Sequence, residues 1–506
     1  MNDPRSPRRP MNDPRSPRRP WPLLAALACA LTLSLGAVAG LSALPARALA
    51  DDATLSADRA PQVSSPVALL QDRDTGTVLY EKDADARRYP ASITKVMTAL
   101  VVLEHADLDD SVTTQESDFD YLTPDSSTAG LRAGETLTVR DLLACLLIPS
   151  GNDAAYVLAR AVGGDVASFV ELMNERAEEL GCTGTHFVNP CGLHDDNHYT
   201  TARDLVKIFD AALAQPEFSK IAGSATWDLP ATEQNPARTL TTTDFLSEED
   251  SPVFMGDAIV ASKTGYTDDA GKCLITAASR DGMNLVGVVL GASNVLDAHG
   301  VTENFYDMRD LLEWGFGAWQ TGEIVAPGDA LATVDVELSS TGDEVAAVSA
   351  GSITATVPRG TTLEDLTVSA PVEGSVQAPI EQGQSFGDVT VSLGERSLGT
   401  VGVQAASAME LSVPDFVLWW LSDPVHAIIV VVIVAAVLVT VGLAASSSSR
   451  RRRRGRYEIA VGQRRRVAPG AGGQRLETPG APRRHGAPGR HAASGRHAAS
   501  GRHTRR

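Results

Sequence analysis

The chain contains six lysines, at positions 82, 95, 207, 220, 263 and 272, and only Lys95 has a serine three residues before it. Residues i and i+3 share one face of a helix. The stretch Ile93–Glu104, ITKVMTALVVLE, reads as a helix that is apolar nearly all round. Ser92 at its N-terminus and Lys95 one turn on are therefore within reach of each other. A serine hydroxyl needs a base to become a nucleophile. A lysine amine can be that base where desolvation lowers its pKa, and Val96, Met97, Ala99 and Leu100 supply the apolar surroundings. The helix N-terminus adds a partial positive charge for developing negative charge.

Two other short segments could serve the same chemistry. Ser150-Gly151-Asn152-Asp153 follows Pro149, between two helical stretches. By itself it suits a plain interhelical turn with an N-cap better than its other reading, a proton-relay hydroxyl on Ser150 beside an Asn152 amide that orients a substrate carbonyl. Lys263-Thr264-Gly265 follows the strand-like Asp257–Ser262. A cation, a hydroxyl and a residue without a side chain on a strand edge fit a peptide carboxylate. Glycine lets a backbone approach closely, and the strand beyond can pair with an extended peptide.

The elements that must position these groups alternate between helix and strand signals from about Val67 to Gln320. VALLQ and TVLYE flank Asp74-Thr75-Gly76, and CLITAAS and LVGVVLG flank Arg280-Asp281-Gly282-Met283, two hairpin signatures. Between them lie helical stretches at Thr138–Leu147, with Thr138 and Asp141 close to a capping box, at Val166–Leu180, stopped by Gly181, and at Ala202–Leu213, capped by Thr200 or Thr201. Strands at both ends with helices between predict an α+β fold, an antiparallel sheet packed by helices. From about 321 to 407 the texture becomes ATVDVELS, SITATVP and DVTVSLG between Gly and Pro turns, a small all-β domain. Residues 321–410 hold 13 acidic residues against Arg359 and Arg396 alone, with no Lys, His or Cys, which leaves that module little chemistry and suits a spacer or docking role.

With 506 residues, 43% of them hydrophobic, the chain is long enough for two to three domains and too apolar to be disordered. Its formal charge is −19, but residues 450–506 hold 17 Arg against two Glu and residues 1–50 hold seven Arg against two Asp, so the stretch between them carries −39. Such an acidic middle excludes nucleic acid as its partner and puts the basic charge at the two ends, where topology signals lie. MNDPRSPRRP occurs twice in tandem, with Met11 as a second candidate start. The uncharged run Trp21–Ala46 and the small-residue site at Ala48–Ala50 complete a secretory signal peptide over residues 1–50. An uncleaved anchor is the alternative, since the run is long enough to span. Residues 425–445, VHAIIVVVIVAAVLVTVGLAA, make a single transmembrane helix of roughly 30 Å. Trp419 and Trp420 precede it, and Arg450–Arg454 follow the linker Ser446–Ser449. Arginine beside a spanning helix stays cytoplasmic, so residues 51–424 face outward. The tail over 446–506, rich in Gly, Pro, Ala and Arg, is expected to be disordered and able to hold anionic lipid head groups.

In order and spacing the three motifs resemble those of the penicillin-recognising serine transferases and hydrolases. Within that superfamily they resemble the serine-type D-alanyl-D-alanine carboxypeptidases, the low-molecular-mass penicillin-binding proteins. YPASITKVMTAL, LLIPSGNDAA, THFVNPCGLHDDNHYTTARDL and ASKTGYTDDAGKCLITAA carry the likeness, which runs from about Val67 to Gly291; a β-rich domain and a C-terminal membrane anchor follow, as in that family. The resemblance implies a β-lactamase/transpeptidase-like catalytic domain over 64–320, with Ser92 acylated and Lys95 its base. It implies that Ser150 and Asn152 line the cleft, that Lys263, Thr264 and Gly265 receive the terminal D-Ala carboxylate, and that the backbone N–H groups of Ser92 and Tyr266 form the oxyanion hole. The implied substrate is the peptidoglycan stem peptide ending in D-Ala-D-Ala, and its trimming limits cross-linking during wall synthesis. β-Lactams are the implied covalent inhibitors, and no metal or organic cofactor is needed. One departure stands out: Cys191 occupies a place, just before Gly192-Leu193, where some relatives carry His.

Two other readings compete, a β-lactamase of the same superfamily and a catalytically inactive wall-binding protein. Intact Ser92, Lys95, Ser150, Asn152 and Lys263 argue against the second. A third, a zinc peptidase built on the His194/His198 pair, lacks a Glu base in H-E-x-x-H form, and Asp195-Asp196-Asn197 is turn chemistry. Cys182 and Cys191 could close a small loop by a disulfide; Cys145 and Cys273 sit in apolar runs and read as core.

Overall fold

The computed structural model describes residues 57, 59–370 and 374–462. The expected signal segment and the tail beyond Gly462 lie outside the described residues. Residues up to Asp415 form one compact unit and those from Phe416 onward a second.

The centre of the first unit is a five-stranded antiparallel sheet of β1 (Val67–Asp72), β2 (Val78–Lys82), β3 (Ile259–Thr267), β4 (Gly271–Arg280) and β5 (Met283–Ala292), in the order β2-β1-β5-β4-β3. Side chains of a strand alternate between faces, and here both faces are buried. Val67 and Leu69 enter one core, while Ala68 and Leu70 enter another. The expected hairpins join β1 to β2 and β4 to β5, the latter closing with Arg280 opposite Met283. β3 has β4 as its only partner among the described residues, so its outer edge is open.

The first core is covered by α1 (Lys95–His105), α2 (Val139–Leu147), α3 (Asn152–Gly163), α4 (Val166–Glu179), α5 (Ala202–Leu213) and α6 (Pro216–Ala222), and the second by α7 (Glu303–Ala318). The all-round apolar face of α1 has a simple reason: every residue from Lys95 to Val102 is buried between its neighbours. Thr138 caps α2 by accepting from the Asp141 N–H at 3.1 Å. Of the two candidates before α5, Thr201 is the cap. Two expectations shift. The turn holding Ser92 is a 3-10 turn, Ala91–Thr94, and the α-helix starts at Lys95. The strand placed at Asp257–Ser262 begins at Ile259 and runs through Lys263-Thr264-Gly265 to Thr267, because Gly256–Ala258 folds as a 3-10 turn.

Trp319–Val325 pairs with Ile353–Pro358, and a six-stranded sheet completes the all-β domain around Val334, Val336, Val389, Val391 and Val403. It is tied to the main sheet where Thr321 Oγ1 donates to Asp72 Oδ2 at 2.6 Å. α8 (Val413–Ser422) begins at the end of the first unit, and α9 (Pro424–Gly462) follows it in the second. Pro424–Ser447 is long and apolar enough to cross a membrane. The helix does not stop at the expected linker Ser446–Ser449 but continues to Gly462. Once nucleated, a helix extends cheaply through residues such as Arg and Ser, and no proline interrupts this stretch.

Candidate active site

The turn that carries Ser92 is held from outside rather than by its own cap. Pro90 occupies the N-cap position without a side-chain bond, so the Ser92 hydroxyl is not spent on capping. In a 3-10 turn residues i and i+3 eclipse, which brings Lys95 Nζ to 2.8 Å from Ser92 Oγ. The same ammonium donates to Asn152 Oδ1 at 2.7 Å and to the Cys191 carbonyl at 3.0 Å. Lys95 is fully buried, and burial is the main reason that its pKa falls to about 8. A lysine so placed can exchange a proton with a serine near neutral pH.

Ser150 and Asn152 flank the elbow between α2 and α3. Ser150 sits in the left-handed region at φ +63°, an uncommon place for a residue with a side chain. The Asp153 carboxylate fixes the elbow: its Oδ1 accepts from Ala129 N and its Oδ2 from Leu131 N, both at 3.0 Å. With its Oδ1 taken by Lys95, the Asn152 amide keeps its Nδ2 hydrogens to donate into the cleft it lines. Lys263 Nζ donates to Ser150 Oγ and to the Thr264 carbonyl, each at 2.8 Å. Its pKa is driven down by burial first and then by the charge of Lys95, with Asp244 opposing. Two separate hydrogen-bonded sets thus lie at the cleft floor, Ser92–Lys95–Asn152 on one side and Ser150–Lys263 on the other.

Gly265 is where β3 passes the Ser92 turn. A Cβ there would lie 2.9 Å from the Pro90 carbonyl and 3.1 Å from Ser92 N. Thr264 Oγ1 meets Thr243 Oγ1 at 2.5 Å, and Tyr266 is partly exposed on the rim. All eight residues singled out by the sequence therefore gather in one place: Ser92, Ser150, Asn152, Thr264, Gly265 and Tyr266 line a cleft of about 720 Å³, with Lys95 and Lys263 buried behind it.

The loop of Cys191, to which the residues alone assign no role, closes the back of the site. Asn189 Oδ1 accepts from the N–H groups of Cys191, Gly192 and Leu193 at 3.2, 2.7 and 3.1 Å, which folds the loop into a tight turn. Gly192, at φ +87°, lies so close to the Ser92 turn that a Cβ would overlap the Ala91 carbonyl. Ala91 itself is held at φ +48°. His198 Nδ1 accepts from Val188 N at 3.2 Å, so its Nε2 carries the proton and donates to Thr94 Oγ1 at 2.8 Å. His194, by contrast, stands edge-on to Tyr89 with centroids 4.6 Å apart. The two histidines of the HDDNH segment thus serve separate contacts. Cys182 and Cys191 are free thiols, facing the Asp204 carbonyl and the Tyr156 hydroxyl respectively.

A cleft with a serine bonded to a buried amine on one wall and an unpaired strand edge on the other suits a peptide that lies extended and is cut at its backbone, as the resemblance to the penicillin-recognising serine hydrolases implies. The comparisons narrow the class. A family described as D-alanyl-D-alanine carboxypeptidase matches residues 54–294, and the penicillin-binding protein 5 C-terminal domain matches residues 319–411. The D-alanyl-D-alanine carboxypeptidase of a Streptomyces species is 35% identical over 257 residues, 48% of this chain and 87% of the relative. D-alanyl-D-alanine carboxypeptidase DacF of Bacillus subtilis is 32% identical over 276 residues, 53% of this chain and 67% of the relative. The structure of penicillin-binding protein 5 from Haemophilus influenzae superposes with a TM-score of 0.51 at 27% identity, covering 69% of this chain and 98% of its own. The chain belongs to the D-alanyl-D-alanine carboxypeptidase family of serine-type peptidases.

Proposed function

We propose that this protein removes the terminal D-alanine from peptidoglycan stem pentapeptides through an acyl-enzyme on Ser92, and so limits cross-linking during wall synthesis. The observation that carries the proposal is the 2.8 Å bond between Lys95 Nζ and Ser92 Oγ inside a fully buried environment. In the neutral state Lys95 takes the Ser92 proton as the oxygen attacks the carbonyl between the two D-alanines. The negative charge on that carbonyl oxygen is received by the backbone N–H groups of Ser92 and Tyr266. The proton that Lys95 took reaches the departing D-alanine nitrogen through Ser150, which leaves Lys95 a free amine again, and the carboxylate of the leaving D-alanine is held by Lys263, Thr264 and the open backbone at Gly265. Asn152 donates its amide to the acyl side of the substrate. Water, activated by Lys95, then releases the shortened peptide. β-Lactams enter by the same acylation and act as covalent inhibitors.

The signal-like residues 1–50 and the Arg block after the apolar helix support an orientation with the catalytic domain outside, α9 anchored in membrane lipid and the basic end in the cytoplasm. The acidic middle of the chain speaks against nucleic acid as a partner.

The test compares D-Ala release from a pentapeptide with hydrolysis of a chromogenic cephalosporin, with Ser92→Ala as control. D-Ala release and a long-lived penicilloyl ester are expected of the wild type, and neither of Ser92→Ala. The reason for the long life is local: the loop residues that line the cleft, Cys191, Gly192 and Leu193, carry no carboxylate to hold a hydrolytic water, and the amine expelled from a β-lactam stays tethered to the acyl group where a departing D-alanine would open a path for water. Rapid cephalosporin turnover without D-Ala release would replace the carboxypeptidase by a β-lactamase.

A further inference from the structure

Lys272, the second residue of β4, stands directly across from Tyr266 of β3, and cross-strand partners project from one face of a sheet. Its ammonium lies over the Tyr266 ring, 4.4 Å from the centroid, a favourable cation–π placement. The ring is fixed from its other end. The Tyr266 hydroxyl donates to Asp268 Oδ1 at 2.5 Å and accepts from Asn294 Nδ2 at 2.9 Å. Lys272 lines the cleft and is half-buried. Burial lowers its pKa, and no carboxylate acts to raise it. Among the described residues no carboxylate pairs with Lys272, whereas the surface lysines Lys207 and Lys220 pair with Asp204 and Glu217. A half-desolvated ammonium regains its lost interaction when a ligand supplies the missing anion.

The direction of the substrate says which anion. This step rests on the proposed function, with the terminal carboxylate at Lys263 and Thr264 and the attacked carbonyl at Ser92. The acyl side of the peptide must then run the other way along β3, past Gly265 and Tyr266 toward Thr267. Two residues of strand span about 7 Å, so the residue just before the D-Ala-D-Ala pair comes alongside Tyr266 and Lys272. We infer that Lys272 is a specificity-determining residue of this cleft: its ammonium pairs with a side-chain carboxylate on the substrate residue that precedes the D-Ala-D-Ala pair.

The experiment uses two N-acylated peptides ending in D-Ala-D-Ala that differ only at that preceding residue, one with a side-chain carboxylate and the other with the matching carboxamide. For the full-length wild type, kcat/KM for D-Ala release should favour the carboxylate roughly tenfold, the scale of a charge-assisted hydrogen bond, chiefly through KM. Lys272→Met should lose the preference, read as the ratio of its rates on the two peptides, and Lys272→Arg should keep it. Labelling of Lys272→Met by a fluorescent penicillin reports that its fold and serine are intact. Equal release from both peptides by the wild type, or a preference that survives Lys272→Met, overturns this inference alone. Release from neither peptide by the wild type overturns the carboxypeptidase reading and this inference with it.

Discussion

At the scale of single residues, the geometry makes one ionisation decide the rate. Lys95 bonds to Ser92 Oγ as an ammonium but can act as a base only as an amine, and burial brings its pKa down to about 8. A base must be unprotonated to accept, so acylation should accelerate as pH rises toward about 8 and level off above it. Stopped-flow acylation by a penicillin between pH 6 and 10 reads this directly, and a flat profile would remove Lys95 from the base role. Lys95→Arg, whose guanidinium stays charged throughout that range, should slow acylation by about 10²–10⁴, the usual contribution of a general base. How much of this was legible in the sequence follows the range of each contact. Ser92 and Lys95 were readable because their contact is one helical turn long. The Lys263–Ser150 bond joins residues 113 positions apart, and no local spacing encodes it. The Cys191 carbonyl, a direct partner of Lys95, was invisible for another reason: every residue carries a backbone carbonyl, and only the fold says which one points inward.

At the scale of elements, the helix and hairpin signals were well readable because caps and turns are local chemistry: Thr138 and Thr201 cap the helices that the sequence places after them. The loop from Thr185 to Thr200 was not. Its Asp-Asp-Asn turn and histidines look alike in sequence, yet His198 is buried and His194 remains partly exposed at the surface. Burial lowers the pKa of His198 from 6.5 to about 4, so the neutral ring that holds Thr94 and Val188 is the stable form. The sign follows from linkage: the unfolded chain binds this proton below about 6.5, and the folded one only below about 4. The contribution of His198 is therefore fully present above pH 6.5 and is lost as pH falls through 4, a change on the order of 3 kcal/mol. Urea unfolding of wild type and His198→Asn at pH 7 and pH 4.5 isolates it, since other titrating groups cancel in the comparison. The wild type should lose more stability than the variant on acidification. Parallel losses would mean that His198 does not anchor the loop to the Ser92 turn.

At the scale of the whole molecule, charge and apolar surface are segregated along the chain. The acidic middle folds around the site, and the long exposed apolar surface of the second unit lies on α9, where Val431 and Leu438 are 67% and 66% exposed. The first unit finishes its own hydrogen bonding before that helix starts. Met409 and Ile380 exchange backbone bonds at 2.9 and 2.8 Å, and Ser412 N donates to the Leu338 carbonyl at 2.7 Å. A chain ending at Ser412 therefore keeps every one of these ties, the cleft and the all-β domain. It loses the helix long enough to span a membrane and the Arg-rich end. Such a fragment, expressed with residues 1–50 in place, should be recovered in solution, kept dispersed by its net negative charge, and should release D-Ala and bind penicillin as the full chain does. Fractionation of the two forms, followed by labelling with a fluorescent penicillin, makes the comparison. A fragment that still sediments with membranes would show that residues 1–50 stay attached as an anchor. A soluble fragment that labels poorly and melts early would show that the residues after Ser412 support the fold as well as the attachment.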